Sequence, residues 1–105
     1  MEKILEKTLL FDFYGELLTE HQQDIYENVV LNDMTLSEAA EVYGISRQGI
    51  HDVIRRCDRI MEEFEEKLHS IEKYESIRKK VLKLKNLADD EENALLDSIL
   101  EDLDS

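Results

Sequence analysis

The 105-residue chain has no proline, no tryptophan, three glycines and a single cysteine. Each scarcity excludes something. A β-sandwich or barrel needs a turn signal about every 8 to 12 residues, and a chain without proline and nearly without glycine cannot supply them. One cysteine, Cys57, forms no internal disulfide, so a stapled secreted scaffold is excluded. No apolar run approaches the roughly 20 residues that span a bilayer. The start, Met1-Glu2-Lys3-Ile4, lacks the basic stretch and apolar core of a signal peptide. Glycine-rich phosphate loops, Ser-His-Asp sets and paired-cysteine metal spacings are missing as well, so neither an enzyme nor a bound cofactor or metal is expected. What the composition leaves is an all-α, cytoplasmic protein.

Positive charge is the other scarcity. Thirteen basic residues stand against 26 acidic ones, for a formal charge of −13 and a pI near 4.5. Phosphate contacts dominate nucleic-acid binding, so a chain this acidic is repelled overall. The excess is unevenly spread. Residues 1–35 carry a net of −6, residues 36–56 are neutral, residues 57–86 carry +1 and residues 87–105 carry −8. An acidic end block reads as a solvated or interacting tail. The middle of the chain stays open to a local nucleic-acid site.

Along the chain, apolar residues keep helical spacing almost throughout. Ile4, Leu5, Leu9, Leu10, Phe11, Phe13, Tyr14, Leu17 and Leu18 form a face broader than a lone surface helix needs. Thr19-Glu20-His21-Gln22 fits a capping box and opens a second helix, which Asn32-Asp33 closes. Thr35-Leu36-Ser37-Glu38 predicts another box and a third helix, stopped at Gly44. Ser46 caps a fourth. From Ile50 to Leu84 the apolar spacing runs on for longer than the roughly 25 residues of an ordinary globular helix. A break is expected near His69-Ser70, with Ser70 as the new cap. Asn86 ends the fifth segment, and Asp89-Asp90-Glu91-Glu92 opens a sixth with acids at the positive end of its dipole. The expected organisation is a helix-turn-helix domain over residues 1–69 and a helical extension over 70–105.

Residues Leu36 to Arg55 carry the most information. Two helices joined by a turn of about three to four residues, often with glycine, make the helix-turn-helix unit. Ala39 and Ala40 let the second helix approach, Gly44 makes the turn with apolar Ile45 after it, and Ile50 and Val53 face inward. A recognition helix starting at Ser46 then exposes Arg47, Gln48, His51, Asp52, Arg55 and Arg56. Arg47 suits guanine and Gln48 suits adenine. Ser46, Thr35 and Ser37 sit at helix starts, where hydroxyls donate to phosphate oxygens. The expected nucleic-acid site is therefore Ser46, Arg47, Gln48, His51, Arg55 and Arg56, with Thr35 and Ser37 on the backbone. The competing reading is a helix-turn-helix kept for packing or protein contacts, given exposed Glu38, Glu41 and Asp52.

The stretch LTEHQQDIYENVVLNDMTLSEAAEVYGISRQGIHDVIRR resembles region 4 of bacterial sigma factors, with its Thr-x-x-Gln helix start and its run of small, glycine and Ile-Ser-Arg positions. The whole chain resembles the YlxM family of small bacterial helix-turn-helix proteins. That resemblance implies a sigma-region-4-like helical bundle and a regulatory or accessory role in the signal recognition particle pathway. DNA, read specifically, is the partner expected first. A protein or RNA of the particle is the alternative, bound by an acidic interaction module that reads no DNA. Asp52 and Gly49 depart from the sigma pattern, the first by charge and the second by placing glycine in the helix's first turn.

Weaker constellations favour bland readings. Glu66 with His69, and His21 with Asp24, lack further ligands. Cys57 lies on the apolar stripe as a small hydrophobe. Tyr14, Tyr26, Tyr43 and Tyr74 fall on or beside apolar stripes, as core residues with a wet hydroxyl. Arg78, Lys79, Lys80, Lys83 and Lys85 concentrate cations on the fifth segment, either serving a helix C-terminus or opposing acids of the last helix or of a second chain. The apolar surplus predicts a homodimer, whose two recognition helices would meet half-sites about 34 Å apart.

Overall fold

The computed structural model describes residues 3–105, which form six α-helices and, among the described residues, no strand. The helices are α1 (Lys3–Tyr14), α2 (Glu20–Tyr26), α3 (Leu36–Tyr43), α4 (Arg47–Leu68), α5 (Ser70–Lys85) and α6 (Asp90–Asp104). A short 3₁₀ turn, Gly15–Leu17, follows α1, and α2 runs on into one wide π turn, Glu27–Leu31. The chain divides into two units, one ending at Leu68 and the other beginning at His69.

In the first unit, α4 is the central element, packed against α1, α2 and α3. Its buried stripe, Ile50, Ile54, Cys57 and Met61, repeats every three or four residues, as one face of a helix requires. Tyr14, Leu18, Ile25, Tyr26 and Ala39 close the core from the other helices. Phe11 stacks on Tyr26 at 5.4 Å between ring centroids, and Tyr14 stacks on Phe64 at 6.0 Å. Gly15 is buried where a Cβ would stand 3.1 Å from the Phe11 ring, so a larger residue there would have to push that ring aside.

Three of the four tyrosine hydroxyls donate to carboxylates: Tyr14 to Glu65 at 2.5 Å, Tyr26 to Asp58 at 2.6 Å and Tyr74 to Asp104 at 2.5 Å. The fourth, Tyr43, accepts from the Asn28 amide at 2.6 Å. The hydroxyls of Tyr14, Tyr26 and Tyr43 are thus held in part-buried bonds, while that of Tyr74 lies at the surface as expected. Part of the acidic excess is consumed inside the fold.

The second unit is the antiparallel hairpin of α5 and α6. Asp89 caps α6 and Glu92 reaches back to the Asp89 amide, completing a box. Lys85 pairs with Asp97 across the hairpin. Only Ile71 and Val81 of these two helices are buried. The helix break falls at His69, whose φ of +54° puts it in the left-handed region. Ser70 is therefore the first residue of α5 and not its cap. Histidine enters that region more readily than most residues.

Candidate nucleic-acid interface

Local chemistry builds the unit in order. Thr35 caps α3 by accepting from the Glu38 amide at 3.1 Å. Its hydroxyl donates to the Glu38 side chain at 3.1 Å, so the contact differs from the reciprocal box that the spacing predicts. Gly44 ends α3 at φ +67°, a left-handed conformation that suits glycine. Ile45 and Ser46 complete the turn. Ser46 then caps α4, its oxygen accepting from the Gly49 amide at 2.9 Å. A Cβ at Gly49 would meet that oxygen at 3.2 Å, so glycine in the first turn keeps room for the cap. These elements form a helix-turn-helix.

On the solvent face of α4, Arg47, Gln48 and His51 line an open hollow of about 390 Å³ together with Leu36 of α3. Arg55, Arg56 and Arg59 line a second, larger groove of about 650 Å³ with Asp52, Val53 and the start of α2: Thr19, His21 and Gln22. All of the expected site residues are exposed. Arg47, Gln48 and His51 come together in one hollow, and Arg55 and Arg56 in the groove. Ser46 lies at the head of α4, while Thr35 and Ser37 lie at the start of α3 and line neither recess. Arg59, Thr19 and His21 are additions. Arg59 sits one turn beyond Arg55 and Arg56, so helical phase alone brings it to their side. No sequence signal links it to Thr19, forty residues earlier in the chain.

The hydrogen bonds qualify the roles. The Gln48 amide donates to Asp52 at 3.0 Å, so two-point pairing with a base would have to displace that contact. Thr35 uses its hydroxyl on Glu38, whereas the Ser46 oxygen accepts one bond and keeps its proton to donate. Asp52 stands among the arginines as the one acid lining the groove. Beyond Arg59, the exposed side of α4 turns acidic at Glu62, Glu63 and Glu66. The exposed arginines of α4 thus lie in its first four turns and the exposed acids Glu62, Glu63 and Glu66 beyond them. Among the described residues, no three His, Cys, Asp or Glu side chains gather to hold a metal ion. His21 instead meets the Tyr43 ring edge-on at 6.0 Å, and His69 meets Glu72 at 3.2 Å.

Residues 1–100 match the model of the family UPF0122, described as "Putative helix-turn-helix protein, YlxM / p13 like". The chain belongs to UPF0122. A UPF0122 protein of Caldanaerobacter subterraneus subsp. tengcongensis is 44% identical over 84 residues, covering 80% of this chain and 72% of the relative. One from Shouchella clausii is 41% identical over 104 residues, covering 94% and 95%. A third, from Bacillus cereus strain AH187, is 40% identical over 93 residues, covering 89% and 84%. UPF0122 is thus a helix-turn-helix family and is not described by any reaction. No helix among the described residues is long and apolar enough to cross a membrane.

Proposed function

We propose that this UPF0122 chain is a cytoplasmic regulator that binds DNA through the first four turns of α4. The observation that carries this reading is the concentration of four exposed arginines on one helix of an otherwise acidic protein: Arg47 in the hollow, and Arg55, Arg56 and Arg59 together in the groove. Cations are scarce here, with 13 in the chain, and four of the seven in residues 1–68 are spent on this helix. Arg47 and His51, nearest the helix start, are the base readers, because the N-terminal residues of a recognition helix reach base edges. Arg55, Arg56, Arg59 and the Ser46 hydroxyl hold phosphates. Thr35 and Ser37 are lesser backbone contacts. The overall charge works against indiscriminate binding, so affinity depends on a sequence that fits.

The link to the signal recognition particle pathway rests on the resemblance to YlxM proteins, and a homodimer on the uncovered apolar surface. One observation favours a second reading, an acidic module that binds a protein or RNA of that particle. It is the acidic continuation of the same helix face through Glu62, Glu63 and Glu66.

Selection from a random duplex pool at low salt decides between them. DNA reading predicts an enriched site, with Arg47→Ala relaxing base preference and Arg56→Ala weakening all sequences alike. A pool without enrichment overturns the regulator, and binding to purified particle protein or RNA would then establish the module.

A further inference from the structure

The α5–α6 hairpin leaves much of its apolar surface in solvent. Ile77 and Leu84 on α5, and Leu95 and Ile99 on α6, are all more than two-fifths exposed, Leu95 at 66%. Two helices alone cannot enclose an apolar stripe of this width, since a helix draws most of its stability from the packing of that stripe. Helical phase sets these four residues apart from the contacts the hairpin makes internally. Tyr74 and Lys85 reach Asp104 and Asp97 from the side of α5 that carries buried Ile71 and Val81. Ile77 and Leu84 lie roughly a quarter turn away from that side, and Leu95 and Ile99 lie on the matching flank of α6.

Charge says what covers this face. Between Ser70 and Lys85, α5 has six cations and two acids; between Asp90 and Asp104, α6 has seven acids and no cation. A partner that sets like helices together is repelled, and one that sets each α5 beside an α6 is attracted. The hairpin meets that requirement with a copy of itself. In a two-fold arrangement the same patch serves both chains.

We propose that two copies of this chain associate through the α5–α6 hairpin as an antiparallel four-helix bundle, with each basic α5 set against the partner's acidic α6. Bundles of this kind place apolar positions of all four helices in one core. Every helix in the assembly is then flanked by helices of opposite charge, and Lys80 and Lys83 gain acidic neighbours from the second copy. This names the seam of the dimer assumed above and does not depend on nucleic acid.

Sedimentation equilibrium of the full chain without nucleic acid tests it. The expected result is a dimer at tens of micromolar, and Leu95→Glu is expected to give a monomer of unchanged helicity, because that side chain is already in solvent. A second experiment tests the pairing of unlike helices. One chain carries Lys80→Glu and Lys83→Glu, the other Glu91→Lys and Asp102→Lys. Each alone should be monomeric, and an equimolar mixture should recover the dimer. A monomeric full chain, a Leu95→Glu dimer, or charge-swapped chains that pair no better mixed than alone would overturn the proposal. Failure of the duplex selection would leave these results untouched, so the two readings fall separately.

Discussion

Asp58 takes a negative charge into the place where three helices of the first unit meet, and two donors hold it there. Tyr26 of α2 donates to one carboxylate oxygen at 2.6 Å, and Lys7 of α1 approaches the other at 3.3 Å. Tyr26 itself is wholly buried. Burial first, then the hydrogen bond and the negative charge of Asp58, push its hydroxyl pKa well above the ordinary 10.0. Burial likewise pushes the Cys57 thiol up to about 11, with Asp58 adding to the effect. Both groups are neutral in the fold and ionise more easily once unfolded. Their contribution to stability is therefore complete below the unfolded values and is lost as pH rises. Urea midpoints should fall above pH 9 as unfolded Cys57 ionises, and fall faster above pH 10 as Tyr26 follows. Tyr26→Phe should cost about 1.5–3 kcal/mol at neutral pH, the worth of a hydrogen bond to a charged group. It should also flatten the alkaline limb. A midpoint that is level from pH 8 to 11 in the parent chain would show that neither group is coupled to folding.

At the scale of elements, features that depend on neighbours in the chain are legible and those that depend on distant partners are not. The helix-turn-helix reads directly from Ala39, Gly44 and Ser46, because a small contact residue, a left-handed turn and a cap each act within a few positions. The wide turn at Glu27–Leu31 does not. Asn28 lies in that turn and donates to Tyr43, fifteen residues on, and no local pattern announces that bond. The α4 stripe shows why half of the site was readable: phase gives Arg47, His51, Arg55 and Arg56 one exposed side, but only the packing of α2 beside α4 makes a groove with Thr19 and His21. That packing also makes Asp52 costly to a polyanion. Unit charges about 4 Å apart interact by roughly 1 kcal/mol in water, or about fivefold in affinity. Asp52→Asn should accordingly tighten duplex binding by roughly fivefold at low salt, and less as salt rises. It also replaces the acceptor of the Gln48 amide, so base preference at the Gln48 position should shift with it. Measured affinities that are equal for both chains would remove Asp52 from the electrostatics of the site.

For the whole molecule, the −13 charge becomes a constraint on how binding is assembled. Residues 1–68 carry −9 of it and residues 69–105 carry −4. Neither unit attracts phosphate by net charge, so the proposed site has to draw on the local arginines of α4. Neutralising Z phosphates of B-DNA gives a slope of about −0.9Z for log affinity against log salt, or about −2.7 for Arg55, Arg56 and Arg59 of one chain. If the hairpins join two chains and both α4 helices engage one duplex, the slope becomes about −5.4. Titration of the selected duplex at several salt concentrations should therefore give about −5.4 for the parent chain and about −2.7 for Leu95→Glu, with Arg59→Ala lowering the slope by about 1 per chain. The comparison separates two ways in which Leu95→Glu can weaken binding. Loss of the second half-site halves the slope, whereas added negative charge alone lowers affinity and leaves the slope at about −5.4. Equal slopes in the two chains would mean that the hairpin, dimeric or not, does not bring two recognition helices to the same duplex.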